Sequence, residues 1–379
     1  MFQDMSRAMT KLGTLIMVAA AVFAVEVRGD DGAKGPLPVC GRLILDDAEA
    51  AWNALDDAAL RKRVQEAFRH RLSPVTEKKI VPPSGDVHDY MSMGPYWWPN
   101  PATTNGLPYI RKDGQVNPET TGENSDRVRL GNVTRDVVAL AAAARRFKDR
   151  AAGAEAVRRL WVFFLDPKTR MNPHLNFGQS IPGRCIGRGT GIIDTLQMAT
   201  SLPDAILILH ETGDLPADDF AKFRKWFADY LDWLTSSKIG LDESKAKNNH
   251  GSAYDLQCAI FALLVGREEQ ARTILKAVPK RRIDVQVEAD GRQPLELQRT
   301  KALGYSTMNA RILCQLALVG ERVGVDLWHY VSPKDGSIPR TLDFLEPFWK
   351  GEKAWPYQQI EPFRPNPRWP KVVREHFSR

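Results

Sequence analysis

Cysteine is scarce: the 379-residue chain has four, at Cys40, Cys185, Cys258 and Cys314, none of them in a C-x-x-C pair. That usage rules out a disulfide-stapled scaffold and argues against a structural zinc site. The seven histidines are scattered without metal-ligand spacing, so no metal is expected. No H-E-x-x-H, Walker loop or G-x-S-x-G occurs, and no cofactor is expected. Gly187, Gly189 and Gly191 form G-x-G-x-G, but the preceding IPGRCI is not strand-like and the spacing is wrong for a dinucleotide. Alternating, strand-like stretches are few, and Arg282–Val287 (RIDVQV) is the best of them.

There is one long apolar run, Leu12–Ala24, preceded by Arg7 and Lys11 and ending in a V-x-A pattern at Val22 and Ala24. It is shorter than the roughly 20 residues of a membrane span and reads as a secretory signal, with an N-terminal anchor as the alternative. Residues 1–24 are therefore expected to be removed, leaving 25–379 as one exported domain, periplasmic or secreted, with no stable membrane partner. In an oxidising compartment the four cysteines could pair, in an arrangement the sequence leaves open. Removing Asp4, Arg7 and Lys11 takes away a net +1, so the formal +7 becomes +6. This modest excess suits a polyanionic partner, although ordinary surface charge explains it equally well. The basic residues form no blocks, which argues against nucleic acid.

What the chain has in abundance is helical periodicity. With 43% hydrophobic and 26% charged residues it can bury a substantial core. Apolar positions at three- and four-residue spacing predict helices over Asp46–Arg71, Arg127–Lys148, Gly153–Leu165, Gly191–Thr212 and Pro216–Ser236. The same spacing predicts helices over Ala253–Leu264, Glu268–Ala277, Ser306–Val323 and Leu342–Phe348. Successive helix pairs of this length predict an all-α fold, an (α/α) toroid or incomplete barrel. Two segments interrupt the pattern, Ile80–Asn124 and Asn172–Gly191, both rich in Gly, Pro and Asn. Loops that long are usually functional or disordered, and Tyr90, Tyr96, Trp97, Trp98 and Tyr109 argue against disorder in the first. They are expected to line the mouth of a cleft.

Three clusters could carry chemistry. Lys247–Gly251 (KNNHG) precedes a predicted helix, so Asn249 and His250 would lie where free N–H groups favour an anion. The alternative is that Asn249 is a helix cap and His250 a turn residue. Gln298–Asn309 (QRTKALGYSTMN) sets Arg299 six residues before Tyr305, where a guanidinium and a phenol could converge on one pocket. A neighbouring cation would lower the phenol below its ordinary pKa of roughly 10. Otherwise Tyr305 is a core residue and Arg299 a surface charge. Tyr96-Trp97-Trp98-Pro99 is either a platform for sugar rings or a plug pinning its loop to the core.

Four stretches occur in order: His88–Pro101 (HDYMSMGPYWWPNP), Asn172–Asp194 (NPHLNFGQSIPGRCIGRGTGIID), Asn248–Gly251 (NNHG) and Arg299–Tyr305 (RTKALGY). Together they resemble the alginate-lyase domain superfamily, the α/α-toroid uronan lyases, and the resemblance runs from about Asp46 towards the C-terminus. The aromatic block is closer to the branch holding glucuronan and alginate lyases than to the mannuronan enzymes. Gly251 and Ser306 depart from the pattern of the latter.

The resemblance implies β-elimination on a 4-linked uronan, with an anionic polysaccharide, alginate or glucuronan, as the partner. Asn249, Arg299 and Gln179 would neutralise the uronate carboxylate so that charge can develop as the C5 proton leaves. Tyr305 would take that proton and return one to O4, and His250 would polarise it or act as the base. Asn176, Tyr90, Trp97, Trp98 and Asn248 would bind the sugar. Mannuronate and glucuronate lose the C5 proton and O4 from one face, so one tyrosine can serve both steps. Guluronate loses them from opposite faces and needs His250 and Tyr305 on either side of the ring. A hydrolase using a carboxylate pair and a non-catalytic uronan-binding protein are the alternatives.

Overall fold

The structure is a computed structural model that describes residues 56–122, 125–364 and 368–378. The expected signal segment, Cys40 and the first residues of the Asp46–Arg71 prediction lie outside that set. Thirteen helices are named in chain order. They are α1 (Asp57–Arg69), α2 (Asp126–Phe147), α3 (Arg150–Phe164), α4 (Leu196–Glu211), α5 (Ala217–Ser236), α6 (Lys238–Ser244) and α7 (Asn249–Leu264). After them come α8 (Glu268–Val278), α9 (Asp284–Gln286), α10 (Pro294–Leu297), α11 (Ala302–Arg322), α12 (Ile338–Trp349) and α13 (Arg368–Phe377). Four short strands, β1 (Met91–Met93), β2 (Trp97–Trp98), β3 (Ile110–Arg111) and β4 (Phe177–Ser180), lie in the two long loops. β1 pairs in parallel with β4, and β2 antiparallel with β3. This is the expected all-α toroid.

Helix α7 is its axle. A helix apolar all round belongs in an interior, and every residue of α7 except His250 and Leu263 is buried. Its Tyr254, Cys258 and Phe261 join the core shared by α1 to α5, while Leu256 and Ile260 join a second core with α8, α11 and α12. Burying each such large side chain stabilises the fold by about 1.5–3 kcal/mol. On α5, Trp226, Tyr230 and Trp233 recur at helical spacing and stack at 5.6 and 5.8 Å. The apolar stretch Gly189–Glu211 is long enough to cross a membrane, yet it packs inside the protein.

Some expectations need correction. Arg282–Val287 is not a strand but the end of a π-helical turn followed by α9. Ile283 and Val287 are both buried, and their four-residue spacing fits a helix as well as a strand. Short helices α6, α10 and α13 were not foreseen. Among the described residues Cys185, Cys258 and Cys314 form no disulfide. Helices α7 and α11 begin four residues earlier than the periodicity predicts, which puts Asn249, His250 and Tyr305 inside their first turns.

Candidate active site

The N-terminus of α7 is held by Asn248, whose side chain accepts from the His250 backbone N–H at 3.3 Å. The cap is thus Asn248, and no sugar contact need be invoked for it. Gly251 is obligatory: a Cβ there would lie 2.0 Å from the Ala246 carbonyl and 2.3 Å from the Arg282 guanidinium. The imidazole of His250 bonds through Nδ1 to Glu243 Oε1 at 2.7 Å, from a carboxylate on α6 that is itself buried. A carboxylate at Nδ1 fixes the proton there and turns Nε2, the acceptor nitrogen, outward.

Asn249 does not present a free amide. It is fully buried, with its backbone N–H and Nδ2 donating to the two oxygens of Glu296 on α10, at 2.7 and 2.6 Å. Its Oδ1 has no partner. Glu296 thus takes the backbone N–H of Asn249 and one of the two hydrogens of its amide. Burial pushes the Glu296 carboxyl up, against the Asn249 hydrogen bonds and the charges of Arg299 and His250. One carboxyl therefore lies within electrostatic reach of both Arg299 and His250.

Arg299 and Tyr305 do converge. The guanidinium carbon sits 3.9 Å from the centre of the Tyr305 ring. Asp113, brought in by the aromatic loop, braces that guanidinium at 2.8 and 3.2 Å, and accepts from Thr300 N–H at 3.2 Å and Oγ1 at 3.0 Å. These donors hold Asp113 well below the usual carboxylate range despite its partial burial. The Tyr305 hydroxyl lies 2.6 Å from that of Tyr96. The phenol is not made more acidic, as the sequence suggested. Burial, with Tyr96 beside it, raises it above its ordinary value, and the opposing pull of Arg299 is the lesser effect. Tyr305 therefore keeps its proton in the free protein.

The two loops supply the opposite wall. Trp97 has the guanidinium of Arg184 at 5.1 Å and that of Arg188 at 5.9 Å from its ring centre. Trp98 donates its indole N–H to Gln115 O at 3.0 Å, and Lys112 lies 4.9 Å from its ring. Gln179, at φ +48°, donates from Nε2 to Asp194 at 2.9 Å and accepts from Arg188 at 2.8 Å. That left-handed backbone is strained for a non-glycine residue. The Gln179 amide thus ties Arg188 to Asp194. The Oδ1 of Asn176 accepts from the Trp233 indole at 2.9 Å. Tyr90 is corrected outright: it is fully buried in the core and donates to Asp194 at 3.1 Å. The other aromatics of its loop, Tyr96, Trp97, Trp98 and Tyr109, are half-buried.

Direct contacts and longer-range charge link these groups. His250 bonds to Glu243, whose charge acts on Arg188; Arg188 lies by Trp97, and the adjacent Tyr96 touches Tyr305. Arg299 lies on the Tyr305 ring, and its charge acts on Glu296, which holds Asn249 next to His250. Sequence reasoning did not single out Asp113, Arg188, Glu243 or Glu296. Acidic and basic residues are plentiful, and nothing local marks these four.

Clustered guanidinium groups, a protonated phenol and a carboxylate-anchored imidazole on an α/α toroid suit a polysaccharide lyase. The chain belongs to the alginate lyase family, whose family model matches residues 74–355. Among solved structures it resembles an alginate lyase from Bacteroides ovatus, with 37% identity and a TM-score of 0.78, covering 86% of this chain and 87% of that one. It also shares its fold with a variant of alginate lyase A1-III, from Sphingomonas species A1, complexed with a tetrasaccharide. That match has 17% identity and a TM-score of 0.53, covering 89% of this chain and 88% of the other. The search of curated proteins found no match.

Proposed function

We propose that the protein cleaves alginate, a 4-linked uronan, by β-elimination, leaving an unsaturated uronate at the new non-reducing end. The observation that carries this is the Arg299 guanidinium on the Tyr305 ring, together with the imidazole of His250 anchored on Glu243. The C5 proton of a uronate is hard to remove because the adjacent carboxylate is already negative. Arg299 and Arg188 supply fixed positive charge for the electrons that move onto that carboxylate as the C5–H bond breaks. The C4–O4 bond then breaks, the C4–C5 double bond forms, and O4 takes a proton.

Tyr305, protonated at rest, is the acid that delivers the O4 proton. The base depends on stereochemistry. For guluronate, whose C5 proton lies on the face opposite O4, His250 Nε2 receives it. For mannuronate, with both on one face, Tyr305 first releases its own proton to solvent once the sugar is bound, takes the C5 proton as phenolate and returns it to O4. Glucuronate differs from mannuronate only at C2, away from the bonds that break, so glucuronan would suit the same machinery. The local carboxylates favour a lyase over a hydrolase, since Asp113, Glu243 and Glu296 are each bonded to a neighbouring donor. The signal-like Leu12–Ala24 run supports export to the periplasm or beyond, where such polymers are met.

The test is incubation with polymannuronate, polyguluronate and glucuronan, following near-ultraviolet absorbance and reducing ends together. Elimination raises both signals. Reducing ends without the conjugated double bond would establish hydrolysis, and neither signal would leave a binding protein.

A further inference from the structure

Helix α11 carries Tyr305 in its first turn, yet nothing local caps it. The cap residue is Lys301, and its side chain makes no capping hydrogen bond. The first N–H groups of a helix have no partner within it and need one from elsewhere. Tyr305 N–H is bonded locally, to Lys301 O at 3.0 Å, but the three before it have no such local partner. All three are taken by two consecutive residues more than fifty positions downstream. Ala302 N–H donates to the Gln358 carbonyl at 3.0 Å, and Leu303 and Gly304 N–H donate to Gln359 Oε1 at 3.0 and 3.4 Å.

The surrounding strap holds that oxygen in place. Gln359 Nε2 donates to Glu361 O at 2.8 Å, which turns the amide oxygen towards the helix. Ile360 N–H donates to Thr300 O at 3.0 Å, and the Lys301 ammonium pairs with Glu361 at 2.6 Å. Trp355 anchors the upstream end by edge-on packing on Phe348 at 4.8 Å. Ile360 also crowds Gly114, next to Asp113: a Cβ on that glycine would lie 2.9 Å from Ile360 Cδ1. The strap thus touches both the helix that carries the phenol and the turn that braces Arg299. Residues 358–361 fall beyond the region matched by the family model.

We infer that Gln359 is a positioning residue for the elimination: it caps α11 from outside and so fixes where the Tyr305 hydroxyl stands. This rests on the role given to Tyr305 above. Losing a side-chain helix cap corresponds to roughly a threefold to thirtyfold change in an equilibrium. Misplacing the phenol affects the chemical step more than binding, since other groups hold the sugar.

The test compares the full-length wild type with Gln359→Ala and Gln359→Glu, assayed well below each melting temperature. Gln359→Ala is expected to lose about tenfold in kcat with KM within about twofold, and Gln359→Glu, which keeps the acceptor, to recover most of it. Hydrogen exchange of the peptide spanning 302–306 should accelerate in the alanine variant and not in the glutamate variant. Should Gln359→Ala fail to fold, Gln359→Met keeps the length, lacks the oxygen and carries the same comparison. Wild-type kcat in the variant without an acceptor overturns the inference, as does an equal loss in the glutamate variant. A wild type that releases no unsaturated product from any uronan defeats the lyase reading instead, and the exchange rates still decide whether Gln359 caps the helix.

Discussion

Replacing Asp113 by asparagine keeps the size of the side chain that braces Arg299 and removes its charge. The carboxylate now accepts from Arg299 at 2.8 and 3.2 Å and from Thr300 at 3.2 and 3.0 Å. Three of these contacts are to Oδ2 and one to Oδ1. An amide has one acceptor oxygen, so at least one contact is lost, its NH2 faces a donor, and those that remain lose their charge. A hydrogen bond to a charged group contributes about 1.5–3 kcal/mol. The pair is partly exposed, 15% for Arg299 and 22% for Asp113, so solvent screening reduces the gain. A net loss of about 2 kcal/mol follows, which for a chain of this size is a fall of about 2–4 °C in Tm. Because Arg299 also leaves its place against the Tyr305 ring, kcat should drop about tenfold, less than for deleting a charge-stabilising donor.

The pH dependence of that difference is a sharper check. Asp113 is held below its unfolded value of about 3.9. A lowered carboxylate contributes stability that is fully present above the unfolded pKa and is lost as pH falls through the folded one. The gap in Tm between wild type and Asp113→Asn should therefore be flat between about pH 6 and pH 8 and narrow below about pH 4. Thermal melts across that range, with lyase rates at neutral pH, measure both quantities. Equal melting temperatures at pH 7, or a gap that widens on acidification, would refute the brace.

Other variants separate the roles in the site. Tyr305→Phe should abolish release of unsaturated product while leaving the melting temperature and oligosaccharide binding close to wild type; measurable turnover would remove the phenol from the mechanism. His250→Ala and Arg299→Ala should each cost at least about a hundredfold in kcat, the scale of a general base or a charge-stabilising donor. Near-normal rates in either would exclude that residue. If stereochemistry divides the work as proposed, His250→Ala should harm cleavage of polyguluronate more than polymannuronate, which rates on the two polymers will decide. Glu243→Gln removes the charge that fixes the imidazole proton on Nδ1 and should slow polyguluronate cleavage about tenfold or more. An unchanged rate would make Glu243 purely structural.

The linear sequence determined the helical architecture, because the three- and four-residue spacing of apolar positions is a local property and helices bury one stripe at a time. It also marked the places where chemistry gathers: Asn248–Gly251, Arg299–Tyr305 and the two long loops all meet at one cleft. What it could not supply was the partner of each polar group. Asn249 looks like a free amide until Glu296, on another helix, takes its backbone N–H and one of its amide hydrogens. Gln179 looks like a carboxylate ligand until Asp194 and Arg188 occupy it, and Tyr90 looks like a sugar contact until its ring proves to be buried. Tyr305 looked acidified by a nearby cation, but burial, which depends on what packs around the ring, outweighs that cation. Glu243, Glu296, Asp113 and Arg188 were invisible for one reason. A charged side chain becomes part of a site only through neighbours distant along the chain, and only the packing of α6, α7, α10 and α11 against the two loops chooses those neighbours.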